Sequence, residues 1–177
     1  MRDMNILEGD LSPPAGRFAI VVARFNSMVT EPLLAGCRDR FHRLGVSPDR
    51  LDVAWVPGSF EIPLVARKMA ETGQYSAVVC LGCVIRGDTS HYDHVAGQAA
   101  AGVMQASTQT GIPVIFGILT TETVEQALNR AGLKSGNKGA EAAEAAVEMV
   151  NLLSQIMPGS SLSAVPAGFA TGRPATR

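Results

Sequence analysis

Four short runs of apolar residues, separated by longer segments with helical periodicity, set the pattern of this chain. The runs are residues 18–23 (FAIVVA), 51–56 (LDVAWV), 77–82 (AVVCLG) and 113–119 (PVIFGIL). Near-continuous apolar runs of this length are typical of strands that are buried on both faces of a parallel sheet. A fifth stretch, residues 5–7, is too short for an independent strand and predicts only an addition to another sheet edge.

The segments between these runs predict five helices. Apolar residues recur at helical spacing over residues 32–44, 62–71, 91–108, 123–131 and 138–156. Pro32 and Pro63 suit the first turn of a helix, and Thr123 with Gln126 has the spacing of a capping box. Strands that alternate with helices imply right-handed crossovers. The pattern therefore predicts an α/β fold with a central four-stranded parallel sheet and helices on both faces.

The length and the distribution of small residues predict how this fold is organised. A chain of 177 residues fits one domain, which we place at residues 1–157. Residues 158–177 are rich in Gly, Pro, Ser and Ala and are predicted to be a disordered tail. A four-stranded sheet has two edges that invite pairing, and residues 142–147 (AAEAAV) allow close helix packing. Both features favour a homo-oligomer.

Composition and charge exclude several classes of function. Hydrophobic residues make up 46% of the chain, charged residues 18%, and the net charge is −1. Neither nucleic acid nor an anionic membrane is the expected partner, because both select a cationic face. No apolar run reaches the roughly 18 residues of a membrane span, and the N-terminus lacks the apolar core of a signal peptide. An odd number of cysteines, three, fits a reducing compartment, so we expect a cytoplasmic protein.

The turn from Gly82 to His91 carries the strongest chemical signal, because parallel sheets bind ligands at the carboxyl ends of their strands. Its glycine spacing resembles a phosphate loop, but Asp88 replaces the lysine, which argues against a triphosphate. The N–H groups at the start of the next helix still predict a site for a single phosphate. A plain turn capped by Asp88 and Thr89 is the alternative, and the spacing alone does not decide between the two.

Two histidines and a Cys-x-x-Cys pair lie in or beside this turn. His91 is placed to act as a general acid or base near neutral pH, although a solvated surface histidine is the common alternative. His94 lies one turn further on, but no third ligand has a known metal spacing, so no metal site is predicted. Cys80 and Cys83 would point to opposite faces of a strand, which argues against a disulfide or a redox pair.

Candidate binding residues follow the other strands and flank the last helices. Glu61 begins a helix and is suited to accept hydrogen bonds from substrate hydroxyls. Phe25 and Phe116 offer aromatic faces to a planar substrate, or else belong to the core. Arg130 and Lys138 are candidate phosphate ligands, or cations that favour a helix end.

Five segments together resemble the 6,7-dimethyl-8-ribityllumazine synthases, in order and spacing, over roughly residues 4–153. The segments are residues 23–26 (ARFN), 54–63 (AWVPGSFEIP), 82–93 (GCVIRGDTSHYD), 113–121 (PVIFGILTT) and 129–139 (NRAGLKSGNKG). The resemblance implies a flavodoxin-like three-layer α/β/α sandwich. It also implies a transferase that uses no cofactor and no metal. Such an enzyme condenses 5-amino-6-(D-ribitylamino)uracil with 3,4-dihydroxy-2-butanone 4-phosphate in the penultimate step of riboflavin biosynthesis.

The resemblance assigns one group of residues to the ribitylaminouracil. Within this group, Phe25 would stack on the pyrimidine ring and Glu61 would hold ribityl hydroxyls, while residues 83–85 would act mainly through their backbone. The full group is Phe25, Ser59, Phe60, Glu61, Cys83, Val84 and Ile85.

A second group is assigned by the same resemblance to the four-carbon phosphate and to the chemistry. Asp88 and Thr89 would donate backbone N–H groups, and the carboxylate of Asp88 would weaken phosphate binding. His91 would transfer protons, and Arg130 would bind the phosphate with Lys138 nearby. Catalysis is thus assigned to His91 and Arg130.

The resemblance also predicts the assembly. Members of the family form homopentamers with active sites shared between neighbouring subunits, into which Phe116 would reach, and some assemble twelve pentamers into an icosahedral capsid, a 60-mer. Residues 132–139 lack an insertion, which favours the capsid, whereas Pro13 and Pro14 stiffen the N-terminal arm and count against it. Riboflavin synthase is a candidate partner. The alternatives are a non-catalytic flavin-binding protein, which would not need His91 and Arg130, and a structural shell protein.

Overall fold

The computed structural model describes residues 4–157 and contains one parallel sheet with helices on both faces. The strands are β1 (Arg17–Ala23), β2 (Leu51–Val56), β3 (Tyr75–Ile85) and β4 (Val114–Thr121), in the order β2-β1-β3-β4. The helices are α1 (Ser27–Arg43), α2 (Ile62–Glu71), α3 (His91–Thr110), α4 (Val124–Arg130) and α5 (Lys138–Ile156). A 3-10 turn at Pro48–Arg50 leads into β2. The predicted α/β fold is confirmed.

Two hydrophobic cores lie on opposite faces of the sheet because side chains alternate along each strand. In β1, Ile20 and Val22 face the core beneath α1, α4 and α5. Ala19 and Val21 face the core beneath α2 and α3. The central strands β1 and β3 are therefore apolar at nearly every position, as the sequence predicted for strands covered on both sides.

Among the element boundaries that differ from the sequence prediction, two bear on the carboxyl edge of the sheet. Helix α1 begins at Ser27, five residues early, because Asn26 adopts a left-handed conformation (φ 61°, ψ 44°) that starts the helix directly after β1. Pro32 therefore lies inside α1 rather than in its first turn. Strand β3 continues to Ile85 because its ladder with β4 extends to the pair Ile85 and Thr121. The turn predicted over residues 82–91 is thus confined to residues 86–90.

The N-terminal arm, residues 4–14, forms no strand within the chain itself. It runs beside α5, where the Asn151 amide donates to the carbonyl oxygen of Asp10 at 2.8 Å and the Gln155 amide donates to that of Glu8 at 2.7 Å. The predicted tail, residues 158–177, lies outside the described residues. Over residues 4–157, no helix has the combination of length and apolar character that crossing a membrane requires.

Candidate active site

A cleft of about 760 Å³ opens at the carboxyl ends of β1, β2 and β3. Parallel sheets place their ligand sites at this edge. Nine of the residues singled out from the sequence line it: Phe25, Ser59, Phe60, Glu61, Cys83, Val84, Ile85, Thr89 and His91. These nine residues, which the sequence assigned to one substrate site, therefore lie together in the structure. Asp88 is exposed on the same turn but is not among the residues that line the cleft.

Backbone hydrogen bonds fix the floor of the cleft at the end of β1. The Phe25 N–H donates to the carbonyl oxygen of Pro57 at 3.0 Å, which continues the ladder between β1 and β2 beyond both strands. The Asn26 side chain donates to the carbonyl oxygen of Cys83 at 3.0 Å and so joins the end of β1 to β3. The Phe25 side chain above this floor is 69% exposed. A rigid backbone thus presents a free aromatic face to a planar ligand.

Asn26 was missed by the sequence reasoning. The signal for it was its residue type, because Asn is the residue after Gly that most readily adopts positive φ. At this position the left-handed backbone lets α1 begin directly after the strand and aims the side chain across to β3.

Ser59 is buried against the cleft, and its hydroxyl has no hydrogen-bond partner within residues 4–157. Gly82 makes room for it, because a Cβ atom on Gly82 would lie only 2.6 Å from the Ser59 Oγ atom. An unpaired buried hydroxyl costs free energy unless a ligand or a water satisfies it. The side chain is therefore poised for a polar group of a bound substrate.

Glu61 stands at the start of α2 with its carboxylate partly engaged. One carboxylate oxygen accepts the Gly58 N–H at 3.0 Å, which fixes the side chain across the short turn after β2. The side chain remains exposed to the cleft. Because a carboxylate offers about four acceptor positions, most of them stay available to ligand hydroxyls.

The start of α3 carries His91 and free N–H donors. Ser90 is the N-cap residue, but its side chain accepts no capping hydrogen bond. Thr89 provides only a long contact, from the His91 N–H to its Oγ1 atom at 3.4 Å. The Asp93 N–H donates to the Ser90 carbonyl oxygen at 3.0 Å, so the Tyr92 N–H and the weakly engaged His91 N–H remain available to an anion. The His91 side chain lies exposed beside them.

The cysteines take no redox role in this arrangement. Cys80 and Cys83 belong to the cores on opposite faces of the sheet, as predicted from their odd spacing in a strand, and both thiols are free. Burial raises the pKa of the Cys83 thiol to about 11, so it stays protonated near neutral pH and is a poor nucleophile. Among residues 4–157, no cluster of three or more His, Cys, Asp or Glu side chains is arranged to hold a metal ion.

Phe116, Arg130 and Lys138 lie in a second, separate cleft of about 450 Å³ between β4 and the start of α5. None of the residues that line this cleft also lines the first one. Phe116 is 42% exposed on the edge strand, and the ammonium group of Lys138 pairs with Glu141. One chain therefore does not bring these three residues to His91.

The side chains on and against the turn between β3 and α3 carry an excess of negative charge. They are Arg86 and Asp88 on the turn, Asp93 in the first turn of α3 and Glu122 just after β4. Arg86 pairs with Asp93 and Glu122, and the hydrogen bond with Asp93 is the main cause that raises the pKa of Arg86 above its usual range. With its one cation already paired, this turn needs cations from elsewhere to hold a phosphate strongly.

Two comparisons with known proteins point to the same enzyme family. A protein-family model described as 6,7-dimethyl-8-ribityllumazine synthase matches residues 15–154. A 6,7-dimethyl-8-ribityllumazine synthase of Synechocystis sp. is 55% identical over 161 residues, which cover 88% of this chain and 98% of the relative. The family match includes all four strands and every residue that lines the two clefts.

Proposed function

The chain belongs to the 6,7-dimethyl-8-ribityllumazine synthase family, and from this premise we propose that its two clefts are halves of one active site, completed between neighbouring copies of the chain. The reaction is that of a transferase in riboflavin biosynthesis. It condenses 5-amino-6-(D-ribitylamino)uracil with 3,4-dihydroxy-2-butanone 4-phosphate and releases phosphate and water. The observation that carries the proposal is the separation of Arg130 and Lys138 from His91 within one chain.

Charge complementarity supports the pairing of the two clefts. The first cleft offers N–H donors at the start of α3, but the side chains on and against its turn include three carboxylates, Asp88, Asp93 and Glu122, and one cation. The second cleft offers the guanidinium of Arg130 and the ammonium of Lys138. A phosphate held between the two clefts would gain both the backbone donors and the positive charge, with Arg130 suited to bidentate contact.

The first cleft matches the chemistry of the ribitylaminouracil. A pyrimidine ring stacks on Phe25, and Phe116 of a neighbouring copy closes the opposite side. Ser59, Phe60 and residues 83–85 line the ring position, and Ser59 contributes the hydroxyl that has no partner among the described residues. Glu61 accepts hydrogen bonds from the ribityl hydroxyls.

His91 and Arg130 then account for the chemical steps. The primary amine of the uracil attacks the ketone, and loss of water gives an imine. His91 moves a proton from carbon as phosphate leaves against the positive charge of Arg130, and the resulting enol tautomerises to a ketone. The second amine attacks this ketone and closes the ring with loss of a second water. Holding both substrates side by side supplies much of the acceleration, because it converts a bimolecular condensation into a unimolecular one.

Turnover of the two substrates tests this function directly. The purified full-length protein, given the ribitylaminouracil and the butanone phosphate, should form the yellow lumazine faster than the same mixture without protein. Release of one inorganic phosphate per lumazine is the second readout. A rate equal to the non-enzymatic background contradicts the proposed function.

Exposed apolar residues away from the two clefts support a homo-oligomer, for which we propose a pentamer that assembles further into an icosahedral capsid. Val53 and Trp55 are exposed on the edge strand β2, and Ile6 is exposed on the N-terminal arm, which leaves an apolar edge and an apolar segment free to pair between copies. The connection from α4 to α5 is short and closed by a bridge between Ala131 and Asn137. We also propose a cytoplasmic location, which the three free thiols support. Riboflavin synthase is the partner that we propose.

The mass of the assembly in solution distinguishes the two levels of organisation. We expect sedimentation velocity to show a dominant species of sixty chains, because the short connection between α4 and α5 leaves the contact between pentamers unobstructed. Light scattering on the same sample provides an independent mass. A species of five chains at every protein concentration measured would contradict the capsid while leaving the shared active site intact.

A further inference from the structure

Arg86 is the first residue after β3, and its side chain joins the elements on both sides of the turn at residues 86–90. Its Nε atom donates to the Glu122 carboxylate at 2.8 Å, just beyond the end of β4. Its Nη2 atom donates to the Asp93 carboxylate at 3.1 Å, in the first turn of α3. The guanidinium carbon lies 4.0 Å from the centre of the Tyr92 ring, which lines the cleft.

The turn itself has little else to hold it. All five of its residues are exposed, and a Cβ atom on Gly87 would meet no other atom within 4 Å. Its carboxyl end is joined to α3 by the Ser90 carbonyl, which accepts the Asp93 N–H at 3.0 Å. The positions of the N–H donors on this turn therefore depend on how firmly its two ends are fixed.

Arg86 is placed to fix both ends at once. Its backbone N–H donates to the carbonyl oxygen of Thr121 at 2.9 Å and anchors the beginning of the turn to β4. Its planar guanidinium then reaches Asp93, two residues after His91, and fixes the beginning of α3. A lysine, which offers a single charged atom, cannot reproduce this geometry.

We propose that Arg86, Asp93 and Glu122 form a positioning clamp that sets the phosphate-binding turn and His91 for the reaction. Arg86 is a positioning residue, since it does not line the cleft and two carboxylates already occupy its guanidinium. The proposal rests on the proposed function, because it specifies which substrate the clamp serves. That substrate is the four-carbon phosphate, and the ribitylaminouracil should be bound almost independently of it.

Steady-state kinetics on Arg86→Met, Asp93→Asn and Glu122→Gln tests the clamp. We expect Arg86→Met to raise the KM for the butanone phosphate and the inhibition constant of inorganic phosphate by about tenfold, because the donors lose their fixed positions. The KM for the ribitylaminouracil should stay within about twofold. Arg67→Met is the matched control, because Arg67 pairs with Glu71 at 2.7 Å on α2, outside both clefts, and should change neither constant.

The carboxylate variants separate a clamp from a direct phosphate ligand. If Arg86 bound the phosphate itself, Asp93→Asn would free its charge and strengthen inhibition by inorganic phosphate. The clamp predicts the opposite, a weaker inhibition, and it predicts that Arg86→Met combined with Asp93→Asn is no worse than Arg86→Met alone. Asp93→Asn and Glu122→Gln, which both keep Arg86, also test the clamp if Arg86→Met fails to fold: each should weaken inhibition by inorganic phosphate.

Two results would overturn the clamp. Stronger inhibition by inorganic phosphate in Asp93→Asn would show that Arg86 binds the phosphate directly. Equal changes in the KM values of both substrates would show that Arg86 contributes only to the general stability of the protein. Failure of the proposed function has a different signature, since the wild-type protein would then form lumazine no faster than the non-enzymatic background. Inhibition constants and KM values are read only from active enzyme, so the two failures are distinguishable.

Discussion

Chains carrying His91→Ala and chains carrying Arg130→Ala should each be nearly inactive alone and should recover up to about one quarter of wild-type turnover when mixed. The reason is the separation of the two residues between the two clefts. In a randomly mixed assembly, about one interface in four joins an intact first cleft from an Arg130→Ala chain to an intact second cleft from a His91→Ala chain. Neither variant alone contains such an interface.

The size of the single losses follows from the two roles. Removal of a general acid or base costs about 100-fold or more in turnover, and His91→Ala should leave substrate binding nearly unchanged. Arg130→Ala should raise the KM for the butanone phosphate and slow turnover, because a charged contact to the leaving phosphate is lost. The turnover recovered on mixing should therefore be large relative to the turnover of either variant alone.

The mixed assemblies are best made by expressing both variants together with different affinity tags and selecting for both tags. The matched control mixes His91→Ala with Glu61→Ala, two changes in the same cleft. No interface in that mixture has an intact first cleft, so no recovery is expected. Recovery in the control, or its absence in the test mixture despite confirmed co-assembly, would contradict an active site shared between copies.

Much of the fold follows from the sequence because the strands are buried on both faces. Solvent is excluded from both sides of β1 and β3, so the apolar runs at residues 18–23 and 77–82 leave no other consistent interpretation. The end of β3 was harder to predict. Glycine is common in turns, so Gly82 indicated the end of the strand. In the structure the missing side chain of Gly82 leaves room for Ser59, and hydrogen bonds to β4 extend β3 to Ile85.

The grouping of the candidate site residues was predictable only in part. Residue types after each strand predicted a place for an aromatic ring, hydroxyl groups and one phosphate, and nine of the predicted residues share one cleft. Arg130 and His91 line different clefts because α4 and α3 lie at different places around the sheet. The periodicity of apolar residues along the chain does not determine these positions. The contact of Arg86 with Glu122 joins residues 36 positions apart, so no local pattern pointed to it.

Replacement of Gly139 by alanine should destabilise the protein by about 3 kcal/mol, although alanine is the better helix former. Gly139 lies in the first turn of α5, where the helix meets α1. A Cβ atom there would lie 2.0 Å from the carbonyl oxygen of Leu33, a backbone atom of α1 that cannot move aside as a side chain does. The two helices must separate, and both pack against the same core.

The consequence extends to the second cleft, because Lys138 precedes Gly139 at the start of α5. Asn137 fixes this start by accepting the Gly139 N–H at 2.9 Å and donating to the carbonyl oxygen of Pro32 at 2.9 Å. A displaced helix start would disturb both bonds and move the ammonium of Lys138. We therefore expect Gly139→Ala to raise the KM for the butanone phosphate as well as to lower stability.

Urea unfolding followed by circular dichroism, at one fixed protein concentration, measures the loss of stability. Ala140→Gly is the matched control at the neighbouring position, where helix propensity alone predicts a loss of about 1 kcal/mol. If propensity governed both positions, Gly139→Ala would be stabilising and Ala140→Gly destabilising. The close approach of α5 to α1 requires instead that both changes destabilise, with Gly139→Ala the more damaging, because a backbone clash outweighs the entropy that alanine saves.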